Sequence, residues 1–256
     1  MAQGQGNKKR FASNTSNGVM SIYIQRKYRY FVDYLTDHSD FFQNYIFRGH
    51  RSIDYKLEST LDRKVTDKAK VQEIRDHQLE NFKRYIIGKR GVNPPTYTEE
   101  NEWWALGQHN GLNTPLLDWT YSPYVATYFA FYKKEAVSDK RVVFALDKVT
   151  VKNQIIKNSA DDIEFYRPDA DDNSRIISQN GLFTKSKDGK ELEEWVKTQF
   201  KDVNDKPVLI KFIFPNSVRI ECLKSLDTMN INHATLFPDI YGSCIYTNMK
   251  LFNFER

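Results

Sequence analysis

Two cysteines among 256 residues, Cys222 and Cys244, are too few for a disulfide framework, so the core must hold this fold together. Neither has flanking groups that would activate a thiolate, and both read as small apolar residues in a reducing, cytoplasmic setting. No apolar run approaches the roughly 20 residues that a bilayer-crossing helix requires, and no membrane partner is expected. The five histidines, His38, His50, His77, His109 and His233, never recur at i, i+4, and CxxC is absent, so no metal is expected. GxGxxG, GxxxxGKS/T and GxSxG are also missing, which removes the signatures of Rossmann and P-loop nucleotide binding and of the hydrolase elbow. Charge of one sign is scarce: 38 Lys and Arg face 33 Asp and Glu, a net +5 that gives little support for nucleic acid. The acids that do cluster, Asp161-Asp162, Glu164, Asp169 and Asp171-Asp172, read as a solvated loop.

What remains is ample for a core. Hydrophobic residues make up 40% of the chain and aromatic residues 14%, with a mean hydropathy of −0.65. Residues 1–18 are polar, carry Lys8-Lys9-Arg10 and lack an apolar h-region, so a lead-in without fixed structure is expected there. No repeat or Pro/Gly/Ser linker divides residues 19–256, which predicts one α+β domain. Tyr28, Phe31, Val32 and Leu35 recur at i, i+3, i+4 and i+7 and predict a helix over about 20–35. Residues 41–47 read as a strand. Residues 68–86 read as a long helix with Val71, Ile74, Leu79, Phe82 and Ile86 inward, ended by Gly88, Gly91 and Pro94-Pro95. A short helix over 99–108 carries Trp103-Trp104, expected as core and helix surface. Ser122-Pro123 is an N-cap followed by proline at the first helical position, predicting a helix to about residue 134. Residues 142–146 and 208–214 read as strands, 175–184 as strand and turn, and 191–200 and 217–227 as helices. Residues 234–254 mix Pro238 and Gly242 with apolar residues and fit no single pattern.

One stretch departs from ordinary core composition. Gln108 to Thr120 packs an amide, an imidazole, a carboxylate and hydroxyls around Leu116, Leu117 and Trp119, and each such group costs roughly 1–3 kcal/mol if buried without a partner. Such density marks a place where a site is built. Phe47-Arg48-Gly49 lies sixty residues earlier. Together with Gln108-His109-Asn110-Gly111-Leu112-Asn113-Thr114-Pro115-Leu116-Leu117-Asp118-Trp119-Thr120, Ser122 to Ala130, Arg175 to Phe183 and Leu236-Phe237-Pro238-Asp239-Ile240, it resembles the FRG domain family, named for its Phe-Arg-Gly tripeptide. The resemblance spans about residues 20–245.

The family is similar in outline to ADP-ribosyltransferases, so the resemblance implies an ADP-ribosyltransferase-like mixed sheet surrounded by helices, with NAD as substrate and no metal. It also implies a setting of bacterial or phage conflict, as a toxin or in phage defence. Arg48-Gly49 matches the strand that ends in Arg in those enzymes. Thr120-Tyr121-Ser122, leading into Ala126 and Phe129-Ala130, matches their second block. The third block wants a Glu, and Asn232 to Pro238 has none. On this resemblance Arg48, His109, Asp118 and Thr120 are the catalytic candidates, with Thr120 and Ser122 as scaffold. Gly49, Gln108, Trp119, Tyr121, Ser122, Arg175, Gln179 and Asp239 are the ligand-binding candidates.

The chemistry specifies roles. Cleaving nicotinamide from ribose passes through an oxocarbenium-like state. It needs a cation for the pyrophosphate, which Arg48 suits by its planar fork; an aromatic wall, from Trp119 or Tyr121; and a carboxylate, from Asp118 or Asp239. Structural roles stand beside these. Arg48 could pair with Asp118 or Asp239 as a buried ion pair, His109 could cap a helix end with Gly111 just beyond it, Asp118 could serve a turn, and Thr114 and Thr120 could bond the backbone. Two other functions share the same residues: a non-enzymatic module binding a nucleotide or RNA, and a metal-independent nuclease with His109 as base. The partners expected are a nucleotide ligand and a protein or nucleic-acid target.

Overall fold

The computed structural model describes residues 11–135, 138–158, 162–168, 174–204 and 206–253. Among them one mixed eight-stranded sheet runs in the order β1-β2-β8-β5-β3-β4-β7-β6. Its strands are β1 (Phe11–Ser16), β2 (Val19–Ile24), β3 (Tyr45–His50), β4 (Leu116–Thr120), β5 (Lys140–Asp147), β6 (Ile163–Tyr166), β7 (Gly181–Ser186) and β8 (Leu209–Pro215). β2 and β8 run parallel and every other pair is antiparallel. This is the expected α+β class.

β5 shows why its sequence reads as an unbroken apolar run. Val143 and Ala145 face one core, Val142, Phe144 and Leu146 the other, so both sides of the strand are covered. The first core is closed by α1 (Arg29–Asp37) through Phe31 and Leu35, by α4 (Pro123–Phe131) and by α8 (Arg219–Thr228) through Cys222, Leu223 and Leu226. On the opposite face, Val151 of α5 (Lys148–Asn158) and Leu192, Trp195 and Val196 of α7 (Leu192–Gln199) complete the second core. A third, smaller core sits over β4 and β7, where Leu79 of α2 (Val71–Tyr85) and Trp104 and Ala105 of α3 (Glu100–His109) meet Leu116 and Phe183. Trp103 lies on the surface side of α3 between the cations of Lys83 and Arg90.

Several elements differ from the sequence reading for identifiable reasons. The helix expected over 20–35 is only its second half, because Tyr28, Phe31, Val32 and Leu35 lie at or inside α1, while 19–24 pairs with β8. The expected lead-in of residues 1–18 stops short: residues 11–16 form β1, and residues 1–10 lie outside the described residues. The hairpin had a signal, since Asn17 and Gly18 both have positive φ (50° and 72°), as a two-residue Asn-Gly turn requires. Residues 41–44 form a 3₁₀ turn before β3, since Phe41 and Phe42 pack as a cluster with Tyr45. Residues 174–178 are helical (α6, Ser174–Ser178) ahead of β7. The ambiguous C-terminal stretch resolves into α9 (His233–Leu236) and α10 (Ile240–Asn253). In α2 the inner face holds Val71 and Leu79 as expected, joined by Arg75, which is 1% exposed and bidentate to Asp62 at 2.9 and 3.0 Å. Of the acidic run, Asp162 and Glu164 are structural acceptors for Trp195 and Asn101, while Asp161, Asp169, Asp171 and Asp172 lie outside the described residues.

α4 is buried along most of its length, so its terminal carbonyls need partners. Two buried arginines supply them: Arg141 Nη1 donates to Ala130 O at 2.6 Å, and Arg219 donates to Phe131 O and Tyr132 O at 2.9 and 3.0 Å. Burial lowers the pKa of both, Arg141 to about 10, and each remains a cation at a helix C-terminus, where the macrodipole favours positive charge.

Candidate functional site

β3 and β4 are joined at a single register pair, Phe47 with Thr120, and then diverge. A cavity of about 380 Å³ opens beside the divergence, between α3 and α4, within the size range of small-molecule sites. Arg48 bridges the gap. Its Nη1 donates to the main-chain carbonyl of Asp118 at 2.7 Å and lies 3.4 Å from the Asp118 carboxylate. Its Nε donates to His50 Nε2 at 2.8 Å, while the N–H groups of Nη2 bond no other described residue. The side chain is 17% exposed, and desolvation lowers its pKa against the pull of Asp118, yet a guanidinium stays protonated. Asp118 is 61% exposed, so the ion pair contributes under about 1 kcal/mol and serves mainly to orient both groups.

Asp118 is held from its other side as well. Gln108 Nε2 donates to Asp118 Oδ1 at 2.6 Å, and Gln108 Oε1 accepts from the buried hydroxyl of Thr114. Thr114 is anchored in turn by Thr60 and Leu61. The turn carrying these groups is a Schellman motif: Leu112 N–H reaches Gly107 O at 2.9 Å, Gly111 N–H reaches Gln108 O at 3.1 Å, and Gly111 takes φ 89°. Leu112 packs so closely on Gly107 that a Cβ there would lie 2.6 Å from it. His109 ends α3 at this turn, and it also lines the cavity. His109 is thus the last residue of α3, with Asn110 as its C-cap, and at the same time a residue of the cavity wall.

Of the twelve site residues expected from sequence, nine line one cavity: Arg48, Gly49, Gln108, His109, Asp118, Trp119, Thr120, Arg175 and Gln179. Several do so in other roles than expected. The Thr120 hydroxyl donates to Gln179 O at 2.6 Å and accepts from Ser122 N–H, so it ties β4 to the end of α6 and its proton is committed to the main chain. Trp119 turns its indole into the second core and donates to Thr184 Oγ1 at 2.9 Å, so it is no stacking wall. Tyr121 is outside the cavity, its hydroxyl accepting from Lys148, and Ser122 caps α4 through Val125 N–H. Asp239 also stands outside. It caps α10 by accepting from Gly242 N–H and binds Arg175 Nη2 at 2.6 Å, and these contacts, Arg175 first, hold its carboxyl below the usual range. Arg175 stacks on Phe237 at 5.2 Å, and Gln179 reaches Leu236 O.

The aromatic wall comes instead from Phe129 of α4, Tyr132 at its C-cap, Phe183 of β7 and Phe237. Phe129, Phe183 and Phe237 lie in the stretches that carry the resemblance, but no periodicity separates a cavity-lining ring from a core ring there, and Tyr132 carries no sequence signal. His50 was legible: on a strand, residues i and i+2 share a face, so Arg48 places His50 beside it. Its Nδ1 faces Tyr55 O at 3.2 Å and must carry the hydrogen, because a carbonyl only accepts; Nε2 is left as the acceptor for Arg48. Burial, reinforced by the charge of Arg48, pushes the His50 pKa well below its ordinary value. Gly49 answers a third demand, since a Cβ there would lie 1.9 Å from Ala126 O of α4.

Among the described residues no group of three or more His, Cys, Asp or Glu is placed to hold a metal ion, and no helix is long and apolar enough to cross a membrane. No curated protein and no solved structure matches the chain. The family model of the FRG domain matches residues 43–139, from just ahead of β3 to the threshold of β5. Arg175 to Phe183 and Leu236 to Ile240 fall beyond that span, yet they fold back onto the same cavity. The tripeptide Phe47-Arg48-Gly49, the Gln108–Thr120 segment and α4 all lie within the matched residues and build the cleft, and on that match this chain carries an FRG domain.

Proposed function

We propose that the cavity binds a nucleotide, with NAD as the leading candidate, and that the chain is an ADP-ribosyltransferase-like enzyme that breaks the bond between nicotinamide and ribose. One observation carries this reading: Arg48, whose Nη2 N–H groups bond no other described residue, lines a cavity that it shares with a 61% exposed carboxylate, Asp118, and the rings of Phe129, Tyr132, Phe183 and Phe237. A guanidinium with free N–H groups is a diphosphate donor. An exposed carboxylate stabilises the positive charge that develops on the ribose as the C–N bond opens. The rings supply a stacking wall for a flat heterocycle. His109 and Gln108 orient the substrate and Asp118. Asp118 takes the place of the absent glutamate, because Asn232 to Leu236 form a capped helix instead of a strand.

The test is release of free nicotinamide from NAD, comparing wild type with Arg48→Lys and Asp118→Asn, with folding checked by circular dichroism. Asp118→Asn is expected to lower turnover by at least about 10²-fold, in line with losing an electrostatic stabiliser of the transition state. Arg48→Lys is expected to weaken NAD binding. Absence of release from wild-type protein overturns the enzymatic reading. A binding module is the second reading, and a specific feature favours it: both Asp118 carboxylate oxygens already face donors, Gln108 Nε2 and Arg48 Nη1. It is supported if NAD binds intact and binding is lost in Arg48→Lys.

A further inference from the structure

We infer that His50 is the positioning residue of the anion site, holding Arg48 through its Nε2 lone pair so that anion binding in the cavity requires a neutral imidazole. The ligand identity rests on the nucleotide reading above; the lock itself does not. Tyr55 O fixes the proton on Nδ1 at 3.2 Å, which leaves Nε2 as the acceptor for the Arg48 Nε–H at 2.8 Å. With Nε bound to His50 and Nη1 bound to Asp118 O, the guanidinium of this cavity-lining residue has two anchors that fix its plane, and Nη2 bonds no other described residue. Protonation of Nε2 removes the first anchor and places a second cation against the first.

The surroundings make the ring a one-way device. β3 itself brings Arg48, and the turn at Asp62–Lys64 brings the charge of Arg63. The loop after β3 brings the Tyr55 ring, with Arg51 over it at 5.8 Å. β5 brings Phe144, edge-on at 5.2 Å, with Lys211 of β8 over that ring and paired to Glu193. Burial of the ring, reinforced by the positive charges of Arg48 and Arg63 against the opposing bond to Tyr55 O, keeps the neutral form well below the ordinary histidine range. The lock on Arg48 is therefore set at neutral pH and is undone only in acid.

The test uses ADP-ribose, whose diphosphate diester stays ionised throughout the pH range and which carries no nicotinamide to lose. Calorimetric affinity is expected to be level from pH 8 to about 6.5 and to fall only at lower pH. His50→Leu, which removes the acceptor, is expected to weaken ADP-ribose about tenfold at pH 7.5, the scale of one hydrogen bond to a charged group. His50→Gln, whose Oε1 replaces Nε2 as acceptor, is expected to restore affinity and remove the acid limb. Folded His50→Leu that binds as wild type overturns the inference. So does a ¹⁵N spectrum showing the Nε2–H tautomer at neutral pH, a readout that needs no ligand and no variant. If wild-type protein ignores ADP-ribose, the nucleotide reading fails, and the tautomer still decides the role of His50.

Discussion

Substituting Gly49 by alanine tests the packing that creates the cleft. The added Cβ would sit 1.9 Å from Ala126 O, 2.7 Å from Ala130 N and 2.9 Å from Ala126 C. A carbon meets a carbonyl oxygen at about 3.3 Å or more, so α4 would have to retreat by over about 1 Å. Nothing flexible can absorb that shift, since the obstructing atoms are main chain. Val125, Ala126, Tyr128, Ala130 and Phe131 pin the helix into the first core, and Arg141 and Arg219 hold its last carbonyls. Ordinary overpacking costs about 1–3 kcal/mol, and a clash with main chain on a pinned helix belongs at or above the top of that range, about 3–5 kcal/mol. At roughly 2–4 °C per kcal/mol for a chain of this size, the melting temperature should fall by roughly 6–20 °C. Urea unfolding followed by tryptophan fluorescence measures the loss directly. Gly49→Ala within about 1 kcal/mol of wild type would refute the close approach of α4 to β3, and with it the reason the third residue of the tripeptide is glycine.

Two further outcomes follow from buried charge. Asp62→Ala leaves Arg75, 1% exposed, without its bidentate partner, and should cost about 3–5 kcal/mol in urea unfolding; a loss under about 1 kcal/mol would mean that the carbonyls of Ser186 and Lys187 satisfy the guanidinium alone. For His50, whose folded pKa is depressed, the unfolded chain takes up the proton first as pH falls through about 6.5, so stability is full above that pH and lost below it, at up to about 1.4 kcal/mol per pH unit. His50→Gln should remove that much of the slope between pH 6.5 and 5, a window above the range in which Asp227 and Asp239, whose carboxyls are lowered by their cationic partners, release their contribution.

Much of the architecture was legible because single elements obeyed single periodicities. α3, α4, α7 and α8 fall where amphipathic spacing and the Ser122-Pro123 start signal put them, and β5 and β8 where apolar runs do. Failures came where tertiary contacts overrode local pattern. β2 looked like the front of a helix because its residues only reveal themselves against β8, about 190 positions away. α5 buries only Val151, so its sequence carries no apolar stripe to read. In the site, polar density marked the right segment, but it could not say which face of β4 each residue takes. Asp118 opens to the cavity while Trp119, one residue on, turns to the second core, and Thr120 spends its hydroxyl on main chain. The rings that do line the cavity come from α4, β7 and the end of α9, where they are indistinguishable from core in one dimension.

The Phe-Arg-Gly tripeptide makes sense as three answers to one geometric problem. When a sheet is covered on both faces, its strands cannot separate without stranding main-chain groups, and an orphaned buried carbonyl is costly. Phe47 holds β3 to β4 at the last register pair and fills the first core. Beyond it the strands diverge, and Arg48 spans the gap to take Asp118 O, replacing a ladder bond with a side chain. Gly49 then lets α4 lie against β3 where a side chain would otherwise push it away. Arg48 thus belongs to the sheet as well as to the cavity. Lysine in its place has one ammonium and no fork, so it can serve Asp118 O or His50 or a ligand, but not all three. Arg48→Lys should therefore lose ligand affinity and stability together, whereas His50→Gln should spare both at neutral pH, and that contrast separates the anchor from the group it anchors.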